Sequence, residues 1–312
     1  LNTVQTLISQ YPNEALLHNI SGVCYKATGQ LEMAAQSFKR AVEIKSDFAD
    51  AHYNLGLTLQ ELNQLDDAVK CYLKALTIKP DYAEAYNNLG VTLKDLDQLD
   101  EAVKCYEKAL IIKPDYPEAH NNLGNALKNL GRASKAVECF ERMLTIDPDN
   151  AEGHNNLGNT LYVLGQPNAA GKSYMKALAI EPDYAEAHNN LGITLNDLGR
   201  FEDAEASYQR ALAIAPHFAE AYSNLGDLLT ELKRLDEALV SYESAFNLKP
   251  DIIFLLGKLL HTKMHLCLWD DLSSMLDELQ DKINNNEKVI PPFPMLGLID
   301  DPELQRKATK IF

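Results

Sequence analysis

The chain has 312 residues, 46% of them hydrophobic and 24% charged, and its formal net charge is −16. Nucleic acids and anionic membrane surfaces are recognised through basic patches, so neither is expected as a partner. The most apolar stretch, residues 252–268, is interrupted by Lys258, His261, Lys263 and His265 and cannot serve as a membrane span. The N-terminus lacks the pattern of a signal peptide, and a cytoplasmic location is expected.

A 34-residue period organises the chain. Counting Ala83 as position 1, glycine holds position 8 at Gly22, Gly56, Gly90, Gly124, Gly158, Gly192 and Gly226. Alanine holds position 20 from Ala34 to Ala238, and position 24 is aromatic throughout (Phe38, Tyr72, Tyr106, Phe140, Tyr174, Tyr208, Tyr242). Position 27 is alanine except at Met143, and position 32 is proline from Pro80 to Pro250, with Ser46 the exception.

In chain order, residues 1–14 continue the register backwards: Val4, Leu7 and Ile8 fall at positions 24, 27 and 28, and Pro12 at 32. They predict the second helix of a repeat whose first helix is missing, as if the chain were cut from a longer array. Such an exposed half repeat would be open to self-association. Seven full repeats follow at 15–48, 49–82, 83–116, 117–150, 151–184, 185–218 and 219–252. Each predicts two amphipathic helices. Helix A turns positions 4, 7, 8 and 11 inward, and helix B positions 20, 24, 27, 28 and 30. Small residues at 8 and 20 let the two backbones approach, the aromatic at 24 fills the remaining space, and the proline ends helix B. Residues 253–284 read as a degenerate helix pair, with Trp269 at its turn. Residues 285–312 read as a Pro-containing connector (Pro291, Pro292, Pro294) and a short helix with Asp301 as N-cap and Pro302 as first residue.

This period, with Leu-Gly, Ala, aromatic and Pro at these offsets, resembles the tetratricopeptide repeat over about three quarters of the chain. The resemblance implies an all-α fold in which antiparallel helix pairs stack into a right-handed superhelix, an α-solenoid, with helix A lining a concave groove.

Asparagine is a poor helix former, yet Asn-Asn-Leu-Gly recurs inside helix A. Position 6 is Asn54, Asn88, Asn122, Asn156, Asn190 and Asn224, and position 5 is Asn87, Asn121, Asn155 and Asn189. At 100° per residue both positions point away from the stripe formed by 4, 7, 8 and 11. With helix A in the groove, these amides form a ladder. Each carries donors and an acceptor able to pair with the backbone of an extended polypeptide, which suits a docking surface with many clients. Acidic residues at position 2 (Glu84, Glu118, Glu152, Glu186, Glu220) and position 13 (Glu61, Asp95, Asp197, Glu231) make the face acidic and favour polar or basic segments. The position 2 glutamates are also favourable at a helix N-terminus and are read as mostly structural. Chaperone-binding relatives clamp a carboxylate with Lys or Arg from helix A; Glu and Asn stand at those positions here, so a cochaperone role is not expected.

No catalytic centre is legible. His18, His52, His120, His154 and His188 all fall at position 4, in repeats too far apart to share a metal, and read as packing substitutes for an aromatic. His261 and His265 are four residues apart with Cys267 nearby, but no third ligand is evident, so neither metal nor cofactor is expected. Cys71, Cys105 and Cys139 are one period apart, beyond disulfide reach, and read as buried thiols in a reducing compartment. No phosphate-binding glycine loop, nucleophile elbow or strand pattern occurs.

The tail carries a second resemblance. Leu260-His261-Thr262-Lys263-Met264, Leu266-Cys267-Leu268-Trp269-Asp270 and Pro291-Pro292-Phe293-Pro294 are similar to the junction in O-linked N-acetylglucosamine transferases of the SPINDLY-like type. There a tetratricopeptide superhelix leads into a two-lobed glycosyltransferase domain, and an asparagine ladder holds acceptor polypeptides. The resemblance implies a substrate- or partner-docking module, not itself an enzyme, from such a glycosyltransferase. The alternative is a free-standing scaffold that assembles protein complexes.

Overall fold

The computed structural model describes residues 2–270 and 272–312. Leu1 of the first predicted helix and Asp271 of the degenerate pair lie outside the described residues, as do the side chains of Asn2, Pro292 and Phe293. The described residues form nineteen α-helices and no strand, so the all-α expectation holds. The chain divides into two units, Leu1–Leu164 and Gly165–Phe312.

The first unit opens with α1 (Asn2–Gln10) and continues with alternating helices A and B: α2 (Ala15–Ala27), α3 (Leu31–Ile44), α4 (Ala49–Glu61), α5 (Leu65–Ile78), α6 (Ala83–Asp95), α7 (Leu99–Ile112), α8 (Pro117–Asn129), α9 (Ala133–Ile146) and α10 (Ala151–Val163). The second begins with α11 (Pro167–Ile180) and repeats the pattern in α12 (Ala185–Asp197), α13 (Phe201–Ile214), α14 (Ala219–Glu231) and α15 (Leu235–Leu248). From α1 to α10 and from α11 to α15, helices consecutive in sequence pack against one another.

Both turns of the repeat have a local cause. Helix A ends on a residue with positive φ at position 15: Gly29, Asn63, Asp97, Gly131, Gly165, Gly199 and Lys233. Asn63 shows the resulting cap, its N–H donating to Gln60 O at 2.9 Å while the Gln64 N–H donates to Leu59 O at 2.8 Å. This double closure satisfies the last carbonyls of the helix and needs a left-handed residue, which glycine adopts without strain. After helix B the proline stops propagation, and in two of the repeats a lysine at position 31 also lies close over the aromatic at 34: Lys79 Nζ is 4.2 Å from the centroid of Tyr82 and Lys113 Nζ 4.4 Å from that of Tyr116.

The core is a stack of small-on-large contacts. The position 20 alanines are fully buried, and within each unit the ring at position 24 lies directly against the glycine at position 8, at Gly22, Gly56, Gly90 and Gly124 in the first and Gly192 and Gly226 in the second. The hydroxyl of Tyr72 donates to Gln60 Oε1 at 2.9 Å, whereas the buried hydroxyl of Tyr106 has no partner. Tyr72→Phe is therefore expected to cost about 1 kcal/mol, and Tyr106→Phe to be neutral or stabilising, since it removes an unsatisfied buried group. Phe38 and Phe140 already occupy the equivalent place. Urea unfolding midpoints of the two variants check this; a loss for Tyr106→Phe as large as for Tyr72→Phe would contradict it.

The C-terminal region differs from the expectation. α16 (Leu255–His265) and α17 (Leu272–Asn284) meet less extensively than the A–B pairs of the repeats. The following segment, read from sequence as a Pro-containing connector and a short helix, holds a second helix besides that one. It contains α18 (Pro292–Leu298) and α19 (Pro302–Ile311), and Leu256, Leu260, Leu279, Ile283, Met295 and Leu304 share one buried core. The reason is apolar spacing: Val289, Ile290, Met295 and Ile299 are 8% exposed or less, which brings the chain back onto α16. Asp301 caps α19 as expected, accepting from the N–H groups of Glu303 and Leu304 at 2.9 and 3.2 Å.

Candidate functional site

The asparagines of helix A divide into two roles. The position 6 amide donates from Nδ2 to the preceding repeat, 35 residues earlier, where position 5 stands. In the first unit Asn54 donates to Asn19 Oδ1 at 3.1 Å, Asn88 to the Tyr53 hydroxyl at 2.8 Å, Asn122 to Asn87 Oδ1 at 3.0 Å and Asn156 to Asn121 Oδ1 at 3.1 Å. In the second unit Asn224 donates to Asn189 Oδ1 at 2.9 Å. Asn190 is half-buried like the other position 6 amides.

Position 5 does not face outward as expected. Asn87, Asn155 and Asn189 are 5%, 1% and 5% exposed, and only Asn121 of the four is half-buried. A helical wheel places a residue relative to its own helix B but omits the helices A on either side. Position 5 lies on the flank that meets the next repeat, so its amide serves as an internal acceptor. Its polarity is tolerated because the neighbouring amide satisfies it.

Position 6 remains half-buried and is held in place from two directions. Its side chain is fixed by the bond to the preceding repeat. Its backbone carbonyl accepts the hydroxyl of a fully buried threonine four residues on, at 2.8 Å for Thr58 to Asn54, 2.9 Å for Thr92 to Asn88, 2.8 Å for Thr160 to Asn156 and 2.9 Å for Thr194 to Asn190. An asparagine amide has two N–H donors and a two-lone-pair acceptor, so one inter-repeat bond does not exhaust its capacity.

Around this row the acids behave unevenly. Position 13 is exposed at Glu61, Asp95, Asp197 and Glu231. At position 2, Glu84 and Glu220 pair with lysines of their own repeats, Lys113 at 3.4 Å and Lys249 at 2.8 Å, and Glu152 accepts from Asn121 Nδ2 at 3.2 Å. Lys249 accordingly holds the Glu220 carboxyl below its usual range.

The position 4 histidines are not simple aromatic substitutes. Nε2 of His18, His52, His120, His154 and His188 lies 2.9–3.1 Å from the carbonyl of the residue six earlier: Pro12, Ser46, Pro114, Pro148 and Pro182. A carbonyl only accepts, so Nε2 carries the proton, and the histidine ties helix A to the preceding turn. The constant spacing of six was the available signal. Burial holds the His52 imidazole below its usual value, with Lys74 adding to the lowering and the bond to Ser46 opposing it. A depressed folded value means that stability is present above the unfolded value of about 6.5 and declines as pH falls through the folded one. The NMR titration midpoint of His52 is expected below that of an unfolded peptide; a midpoint above it would contradict this.

The thiols of Cys71, Cys105 and Cys139 are half-buried, and burial pushes each up to about 11, which disfavours the reactive thiolate. Among the described residues no three His, Cys, Asp or Glu side chains are grouped to hold a metal, and no helix is long and apolar enough to cross a membrane. At the end of the second unit, Lys258 takes position 6 and pairs with Asp227 at 2.6 Å, and Asp227 also accepts from the Tyr242 hydroxyl at 2.8 Å. Thr262 donates to the Lys258 carbonyl at 2.8 Å, as the repeat threonines do to position 6, so α16 keeps the character of a helix A.

No curated protein matches the chain. Among solved structures, one described as "Crystal structure of YrrB: a TPR protein with an unusual peptide-binding site" is similar at 24% identity, over 63% of this chain and 99% of that one, with a TM-score of 0.52. Two structures of MamA match at 24% and 25% identity, covering 54% and 52% of this chain and 92% and 95% of theirs, each with a TM-score of 0.49. A family model described as TPR repeat matches residues 22–63, 58–97 and 92–131, and models described as Tetratricopeptide repeat match 117–150, 149–217 and 183–251. With these matches running from 22 to 251, and with the glycine–aromatic core and capped helix pairs described above, the chain belongs to the tetratricopeptide repeat family.

Proposed function

We propose that this protein-interaction module docks extended polypeptide along the position 6 asparagines, as the substrate- or partner-binding part of a glycosyltransferase resembling O-linked N-acetylglucosamine transferase. The observation that carries the docking is the row of half-buried amides in the first unit, Asn54, Asn88, Asn122 and Asn156, fixed by inter-repeat bonds yet with hydrogen-bonding capacity to spare. A fixed amide loses little freedom on binding, so the bonds it makes to a client backbone contribute more fully to affinity. YrrB, described as a TPR protein with an unusual peptide-binding site, shares this fold, which supports the reading. The exposed acids at position 13 favour polar or basic clients. The glycosyltransferase context rests on the tail motifs from Leu260 to Pro294 alone. A scaffold reading is favoured by one feature, the covering of α16 by residues 289–299, which closes the stack as a cap would.

Binding of neutral and basic extended Ser/Thr-containing peptides tests the docking. Asn88, Asn122 and Asn156 changed together to Ala should weaken all peptides by about tenfold or more, given roughly 0.5–1.5 kcal/mol per lost bond. Asn87→Ala with Asn121→Ala removes the acceptors that hold Asn122 and Asn156 but keeps those two amides, so it should weaken binding clearly less than the triple variant does. Equal loss in both variants would reduce the ladder to framework.

A further inference from the structure

His261 and His265 stand one turn apart on α16, with their Nε2 atoms facing each other at 3.2 Å and their rings edge to face at 4.4 Å. This arrangement is unlike that of the other histidines. Five of the eight are tied to turn carbonyls, and His217 is exposed on the loop before α14. The pair borders a cleft of about 520 Å³ whose other walls are Met264, Pro294, Leu296 and Gly297. The nearest cationic neighbours along α16 are already paired, Lys258 with Asp227 and Lys263 with Glu243.

Two imidazoles separated by 3.2 Å have the bite of a chelate. With metal–nitrogen bonds of about 2.0–2.1 Å, a tetrahedral angle sets the two nitrogens about 3.3 Å apart and a right angle about 2.9 Å. The observed separation lies between these values, so an ion can replace the proton shared by the two Nε2 atoms without moving the helix. Each ring then carries its proton on Nδ1. We propose that His261 and His265 bind one divalent transition ion through Nε2, with its remaining coordination positions open to water in the cleft. Imidazole ligands select zinc, cobalt, nickel or copper over magnesium and calcium, which require oxygen donors. The site is independent of the asparagine row.

Calorimetric titration of the full chain with ZnCl2 tests this, supported by the visible absorption of added Co(II). One equivalent should bind, reversibly on chelation by EDTA, and MgCl2 should give no heat. His261→Gln and His265→Ala should each weaken binding at least about tenfold, while His217→Ala leaves it unchanged. Helicity of each variant is checked by circular dichroism, and two separate substitutions keep the test open if one variant fails to fold. Absence of binding at millimolar zinc overturns the proposal. So does undiminished binding in either α16 variant, or loss on changing His217 alone.

Discussion

Gly90→Ala is expected to destabilise the protein by about 1–3 kcal/mol, more than a change of one methyl group would suggest. A Cβ at Gly90 would lie 2.6 Å from Tyr106 Cε1 and 2.8 Å from Cδ1. The ring cannot retreat freely, because it is fully buried in the core that also holds Leu89, Ala102 and Leu123. Helices α6 and α7 must separate, and every contact between them weakens. Gly171→Ala provides the contrast. It lies inside α11, where a Cβ would meet Thr194 Cγ2 at an ordinary 3.7 Å, and Ala35 already occupies the equivalent position. There alanine should stabilise by about 0.5–1 kcal/mol through helix propensity. Thermal and urea midpoints of the two variants, measured together, should move in opposite directions. A neutral Gly90→Ala would show that the glycine–aromatic contact is not what sets the spacing of the helix pair.

Gly257→Val should have the larger regional effect, a loss of about 3 kcal/mol confined to the end of the second unit. A Cβ there would fall 2.7 Å from Ile290 Cβ and 2.8 Å from the carbonyl oxygen of Val289. That oxygen accepts the Gly257 N–H at 3.0 Å, and Lys288 O accepts from Phe254 N at 3.0 Å. The first turn of α16 is thus satisfied by the backbone of the chain lying across it. A valine forces that backbone away, leaves the two N–H groups without partners and opens the core around Leu260 and Leu279. Hydrogen exchange should accelerate in α18 and α19 while α2–α9 keep their protection, since repeats communicate only with neighbours. Limited proteolysis should cut within 285–291. Wild-type protection throughout the region would refute the close approach.

Much of this structure was legible in the sequence, because a repeat states its packing rule seven times. The glycine at position 8, the alanine at 20 and the aromatic at 24 meet as their sizes imply, and Asp301 caps α19 as its side chain implies. Relations between repeats were less accessible. The wheel assigned Asn87 and Asn189 to the exterior because it describes one helix and its partner, whereas their burial comes from the flanking helix A. The position 4 histidines were misread for the same reason: their partners belong to the preceding turn. The fold of 285–312 was hidden by its prolines, which mark breaks but do not reveal that Met295 and Ile299 return to the core of α16. The separation of His261 from His265 needed coordinates, since a spacing of four brings two rings near each other without fixing how they face.

The inter-repeat bond has a consequence for how such a gene can change length. Each asparagine at position 6 asks only for an acceptor at position 5 of whatever unit precedes it, and that acceptor is already Asn19, Asn87 or the hydroxyl of Tyr53. Excision of residues 83–116, one whole period of 34, would set Asn122 opposite Tyr53, which now receives Asn88 at 2.8 Å. The hydrogen bond at the junction would be one the protein already contains. Unequal recombination in steps of one period therefore keeps this bond at the seam, whereas any other step breaks the register. Units can be gained or lost as inherited variation in reach, with the surviving surface unaltered.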